Sequence, residues 1–217
     1  MNLGTLRTQA STFVGDVDQT RFTAAQYNTA IDRAQEQFRL DTRALWKHQS
    51  FTTADGDADY NLPSDFQWED WVTYDGKELP PISRHEIQRI YGEDWADQNG
   101  DPTHFVIDPE EAVKELLLVP TPNEAKTVIL RYFPLPASLS ADSSVPLNSS
   151  ALLAQFHIGI AAYAAWLILM GETETVEILA KKRELMGLYE KHVSQAIQKF
   201  GNTVSAPINI RGSRLWS

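Results

Sequence analysis

Residues 151–170 run for twenty positions without a charged side chain. Whatever this chain folds into has to bury that stretch. Its length approaches what a bilayer core requires. Gln155, His157 and six alanines dilute its apolar character, however, and no Lys or Arg between Arg131 and Lys181 could orient a span. A helix buried inside a soluble assembly is the better reading. Gly171 breaks the run, and a second long helix is expected from about Thr173 to Phe200. Leu179, Met186, Tyr189, Val193, Ile197 and Phe200 mark its expected buried stripe, with Lys181, Lys182, Glu190 and Lys191 in solvent. So short a link makes the pair an antiparallel hairpin.

The other end of the chain is also helical. Leu3, Leu6, Ala10, Phe13 and Val14 recur at helical spacing, and Gly15 supplies a stop. Thr23-Ala-Ala-Gln26 has the form of a capping box opening a second helix. Its stripe is Tyr27, Ile31, Ala34, Phe38 and Leu45, and the pattern predicts helix to about Trp46. Four helices from opposite ends of the chain then form one bundle.

Between them the pattern changes to strands and turns. Asp55-Gly56-Asp57 separates two short strand candidates, residues 51–53 and 58–62, which read as a hairpin. Asp75-Gly76 separates residues 71–74 from 77–79 and suits a type I′ turn, because both residues tolerate positive φ. Ser83-Arg-His-Glu86 is a second capping box, opening a short helix to about Tyr91. Residues 103–107, 115–119 and 127–133 are further strands, with Pro120, Pro122, Pro134 and Pro136 at their ends, where a missing N–H does least harm. The expected fold class is therefore α+β: a bundle of N- and C-terminal helices with an inserted small antiparallel β-sheet or barrel. In residue terms, 1–47 and 141–200 form the bundle, 48–140 the inserted β-rich domain, and 201–217 an extended C-terminal arm.

Charge follows the same division. Residues 48–140 hold 18 acids against 6 bases, whereas 1–47 hold 5 against 6 and 141–200 hold 6 against 5. The whole chain carries −10, which argues against phosphate-driven binding of nucleic acid across its surface. With no cysteine, disulfides, thiolate metal sites and thiol nucleophiles are excluded.

Candidate chemistry is sparse. Asp55, Asp57, Asp59 and Asn61 imitate the start of a calcium loop, but Tyr60 stands at its glycine position and Phe66 at its bidentate Glu position. His85-Glu86 begins like a zinc-protease helix, yet Arg89 occupies the place of the second histidine. His48, His104, His157 and His192 are scattered, without ligand spacing. Glu69 with Asp70, or Glu93 with Asp94, could supply carboxylates, but neighbours in a strand point to opposite faces. Phosphate-loop, dinucleotide and nucleophile-elbow motifs are absent. Trp68, Trp71 and Trp95 suit either core packing or a subunit interface. No metal or cofactor is expected, and no catalytic residue is assigned.

Five phrases follow one another in order: Tyr60-Asn-Leu-Pro-Ser-Asp-Phe66, Val72-Thr-Tyr-Asp-Gly-Lys-Glu-Leu-Pro-Pro-Ile-Ser83, Gly100-Asp-Pro-Thr-His-Phe-Val-Ile107, Leu116-Leu-Leu-Val-Pro-Thr-Pro122 and Ile129-Leu-Arg-Tyr-Phe-Pro-Leu-Pro136. Within their helical frame, they make the chain resemble the head-to-tail adaptor (connector) proteins of tailed bacteriophages. The resemblance implies a non-enzymatic virion protein at the head–tail junction, present in the host cytoplasm before assembly. It implies a ring, commonly of twelve copies, beneath the portal and around the DNA channel. The implied partners are the portal protein, neighbouring adaptor subunits and tail or nozzle proteins, with genomic DNA passing through unread and no membrane involved.

Residues 201–217 contain no acid and two arginines. Val204, Ile208, Ile210, Leu215 and Trp216 are too spaced to form a core alone. An arm that orders on a partner is expected, with Arg211, Arg214, Leu215 and Trp216 as anchors. By the resemblance, that partner is the portal. A virion-associated cell-wall hydrolase, with carboxylates converging in a cleft, and an unrelated oligomeric binding module stand as alternatives.

Overall fold

The computed structural model describes residues 1–92, 94–107 and 115–200 of the chain. It shows an α+β protein with five α-helices and two small antiparallel sheets. The chain divides into two compact units, one of Met1–Leu45 with the chain from Pro136 onward, the other of Trp46–Leu135.

The first unit contains α1 (Leu3–Val14), α2 (Ala24–Thr42), α4 (His157–Leu169) and α5 (Val176–Phe200). Asn2 opens α1 by accepting from the Thr5 N–H, and Gly15 closes it at φ 79°, donating to the carbonyls of Ser11 and Thr12. Thr23 and Gln26 form the expected reciprocal capping box on α2. This helix ends at Thr42 rather than near Trp46, because Arg43 turns left-handed at φ 48° and caps it. The loop between α1 and α2 is tied by Asp16. Its carboxylate accepts from the N–H groups of Thr20, Arg21 and Phe22 and from the Tyr27 hydroxyl, at 2.9–3.1 Å.

The uncharged run is the centre of this unit. It enters as a 3₁₀ segment, Ala151–Phe156, and becomes α-helical only at His157. Leu147, Asn148 and Ser149 have positive φ, and Ser150 makes no side-chain cap, so the expected long α-helix begins late. Ile160, Ala161, Ala162, Ala164 and Ala165 are fully buried, and α1, α2 and α5 pack around them. Small side chains let the helices approach closely. A side-chain carbon at Gly159 would lie 2.7 Å from His192 Cβ of α5. Of the expected α5 stripe, Tyr189 is buried and Met186, Val193 and Phe200 pack half-buried on the core, while Lys182, Leu185 and Ala196 are also buried. Leu179 and Ile197 lie in solvent, while Lys182 is only 8% exposed, with its ammonium near Glu174.

The second unit holds β1 (Lys47–Thr52), β2 (Asp59–Asn61), β3 (Phe66–Tyr74), β4 (Lys77–Leu79), α3 (Arg84–Tyr91), β5 (His104–Ile107), β6 (Glu115–Val119) and β7 (Thr127–Pro134). Strand orders are β1-β7-β3-β4 and β2-β6-β5, antiparallel throughout. Tyr74 faces Lys77 across Asp75-Gly76, both with positive φ as a type I′ turn requires. The expected hairpin of residues 51–53 with 58–62 is different: β1 pairs with β7 and β2 with β6. The two remain neighbours through the stacked rings of Phe51 and Tyr60, 4.8 Å apart.

The inner faces of the two sheets enclose Val72, Val128, Leu130, Phe105, Leu116 and Leu118. The other face of the second sheet buries Val106, Leu117 and Val119 under Ile87 of α3. Being covered on both sides explains why β6 reads as the continuous apolar run Leu-Leu-Leu-Val. Ser83 caps α3 through the expected box with Glu86.

Candidate functional site

The arm residues Arg211, Arg214, Leu215 and Trp216 lie outside the described residues, as does Glu93. The other sequence candidates are distributed over three surfaces.

On the outer face of the first sheet, His48 of β1 and Trp71 of β3 flank Arg131 of β7 in register. The guanidinium carbon of Arg131 sits 4.4 Å from the centre of the Trp46 ring, and His48 meets both indoles edge-on. Asp70 approaches Arg131 Nε at 3.1 Å, without hydrogen-bond alignment. Arg131 is 8% exposed, so the aromatic rings in effect wrap a cation. Although His48 keeps much of its surface in solvent, partial desolvation by the two indoles and then the Arg131 charge push its pKa down, against a smaller opposing pull from Asp70. Trp68 stacks on Phe133 at 5.5 Å. Trp71 and Trp68 thus stand half-buried against neighbouring rings on the outside of the sheet, and Trp95 packs on the small cluster beneath α3.

A cleft in the same unit, of about 660 Å³, is lined by Asp57, Asp59, Asp97 and Glu115 together with Arg84 and Trp95. Two members of the calcium-like run thus reach it, while Asp55 and Asn61 do not line it. Among the described residues, no three His, Asp or Glu side chains gather as a metal-holding group. Glu69 and Asp70 share a bulged part of β3, where the register against β7 shifts. His85 and Glu86 lie in the first turn of α3, and Glu86 is engaged as a cap.

In the helical unit, a groove runs between α2 and α4. It contains two adjoining cavities of about 520 Å³ each, which share Arg33 and Leu167. Tyr163 and Ile168 lie on the α4 wall, and Thr29 and Gln37 on the α2 wall. Sequence reading missed this groove. Its one signal was the missing polar face of the uncharged helix, which leaves any uncovered side apolar.

Among the described residues, the carboxyl groups that clearly depart from ordinary acidity are displaced towards the anion. For Asp16, burial would raise the pKa, but the N–H groups of Arg21, Phe22 and Thr20 and the Tyr27 hydroxyl outweigh it. Asp65 is desolvated yet held low by Lys47 and Tyr132, Glu86 is held low by Ser83, and Asp142 by Arg7. Each anchors a turn, a cap or a crossing between segments. These are structural anions, suited to fixing shape.

A bundle of end helices, an acidic inserted β-unit and extensive surfaces suited to contact describe a protein built for assembly. The family described as SU10 adaptor protein matches residues 1–211, and the chain belongs to that family of phage head-to-tail adaptors. No curated protein matches the chain. As a member of a phage adaptor family, it is a structural component of the virion at the head–tail junction, working with other phage head and tail proteins.

Proposed function

We propose that this adaptor closes into a ring, of twelve copies in the family's common form, beneath the portal, and that it couples capsid to tail without catalysing a reaction. Residues 201–217 dock on the portal, with Arg211, Arg214, Leu215 and Trp216 as anchors, and copies wait in the host cytoplasm until a filled head recruits them. The observation that carries the reading is the family match over residues 1–211, which spans the bundle and the inserted β-unit alike. Supporting it, the acids are concentrated in residues 46–135, 18 against 7 bases. An acidic wall facing the channel repels phosphate and lets DNA slide. Electron microscopy of the protein alone and mixed with isolated portal tests the assembly. Rings on the portal are expected, and deletion of residues 204–217 is expected to leave a folded protein that no longer docks. Unimpaired docking of the truncated chain discards the arm assignment. Tight, salt-sensitive DNA binding by the assembled ring contradicts the non-stick channel.

One observation favours a second reading, the cell-wall hydrolase. Four carboxylates and Trp95 line one cleft, and paired acids with an aromatic platform suit a glycan. Lysis of purified peptidoglycan, lost on Asp59→Asn or Glu115→Gln, would establish it. Inert protein discards it.

A further inference from the structure

α4 contains no charged residue between His157 and Leu169, and a helix apolar all round is stable when it is covered all round. In one copy of this chain it is not. Ile158 is 41% exposed, and Met170, just beyond its end, 53%. Tyr163, Trp166, Leu167 and Ile168 are only half-buried. Of these, Tyr163, Leu167 and Ile168 form one wall of the α2–α4 groove, whose α2 wall from Gln26 to Gln37 extends for about 17 Å at the helical rise. That length accommodates about three turns of another helix. At its centre lies Arg33, exposed and without an ion pair among the described residues. By contrast, Arg7 is paired with Asp142 and Arg21 with Glu172.

We infer that this groove seats the first turns of α5 from a second copy of the chain. Val176 opens α5 at 84% exposure, with Leu179 exposed one turn on. Beside Val176, Glu177 makes no ion pair among the described residues, whereas Glu174 and Glu184 are engaged by Lys182 and Lys181. Seating Val176 against Leu167 sets Glu177 towards Arg33. The helical unit is nearly neutral up to Phe200, with 11 acids and 10 bases, so two copies meet through it without the repulsion their β-units would impose.

Groove and α5 tip are different surfaces, so the contact is heterologous and propagates from copy to copy until it closes. The inference rests on the ring reading above and supplies its lateral contact.

The absence of cysteine gives a clean test. Chains carrying Leu167→Cys are mixed with chains carrying Val176→Cys, assembled on isolated portal, and treated with a short bis-maleimide. A covalent pair is expected only in the mixture, and in the chain with both substitutions a ladder of multimers. In parallel, Arg33→Glu and Glu177→Arg are each expected to lower ring assembly about tenfold. The double variant is expected to restore it, with thermal melts showing every variant folded. Wild-type protein that forms no ring on the portal sinks the ring reading itself. Normal rings that give no crosslink and no charge-swap rescue overturn this contact alone, as does crosslinking of Leu167→Cys to portal or tail protein.

Discussion

The two units bury their apolar side chains by different means. The helical unit gathers one cluster around an alanine-rich helix, so its stability comes from close backbone approach and from buried polar anchors such as Asp16 and Gln35. The β-unit divides its interior into two thin layers on either side of β6, and depends on ring pairs such as Phe66 with Tyr132 at 5.8 Å. It also carries a net −11, more than the whole chain's −10. The division places the uncharged apolar surface and the net charge in separate parts of the chain. The nearly neutral unit exposes apolar side chains such as Val176 and Met170, and the charged unit has the smaller core to withstand self-repulsion.

The strongest way to break this comparison is to empty each core. Phe38 is fully buried, 6.0 Å from Phe156 and 6.3 Å from Tyr189 by ring centres. Phe38→Ala should cost about 3–5 kcal/mol. Phe105→Ala should cost a similar amount in the thinner β-layer, where the loss is a larger share of the whole. Calorimetry is expected to show each substitution lowering a different transition. If both lower a single shared transition, the two units unfold as one, and the contrast between their cores has no energetic meaning.

Acidity separates the units next. His157 is fully buried with Nε2 unpartnered, and its Nδ1 lies 2.8 Å from the Met1 amino group. Burial, followed by the positive amino group, pushes its pKa down to about 4, against a weaker upward pull from the hydrogen bond with Met1. The unfolded chain takes up this proton near pH 6.5 and the folded chain only near 4. Between those values the unfolded state holds more protons, so stability falls as pH falls. The slope is about 1.4 kcal/mol per pH unit, complete near pH 4. His192, also lowered chiefly by burial, adds in the same direction. In the β-unit, His48 is shifted the same way but is exposed, so its effect is smaller. Denaturant titrations from pH 7 to pH 4 should show the helical transition weakening first, and His157→Asn should flatten that slope. An unchanged slope would remove the burial argument.

What the sequence made legible were features whose partners are close in the chain. The boxes at Thr23 with Gln26 and Ser83 with Glu86 join residues three apart, and Asp75-Gly76 fixes its own turn. The family resemblance, too, lay in the order of turn and strand-end phrases. Features fixed by distant neighbours were not legible. Lys182 looked solvated, but the face of α5 is chosen by α2 and α4, and its four-carbon stem packs while the ammonium reaches Glu174. β1 and β2 looked like partners because a tight turn joins them, yet β7 and β6, far along the chain, offered better ladders. The Arg131 cage needed the register of three strands, and the α2–α4 groove needed two helices from opposite ends of the chain.

The smallest effect sharpens the comparison most, because it applies one cost to both units. Gly15 closes α1 at φ 79°, and Gly76 completes the β3–β4 turn at φ 76°. A methyl group at either position meets nothing within 4 Å, so alanine there brings no clash, and the cost is backbone strain alone, about 1 kcal/mol. Gly15→Ala and Gly76→Ala are therefore matched perturbations, one in each unit. Equal losses, each confined to its own transition, are expected from chemical denaturation. A much larger loss at Gly76 would mean that the β3–β4 register depends on its turn, because the adjoining β4 is only three residues long. A much larger loss at Gly15 would instead point to the Asp16 loop. That loop begins at the next residue, and the hydrogen bonds accepted by the Asp16 carboxylate require the chain to leave α1 in this direction. Either inequality would locate which unit relies on a single local joint and which is held by its packed interior.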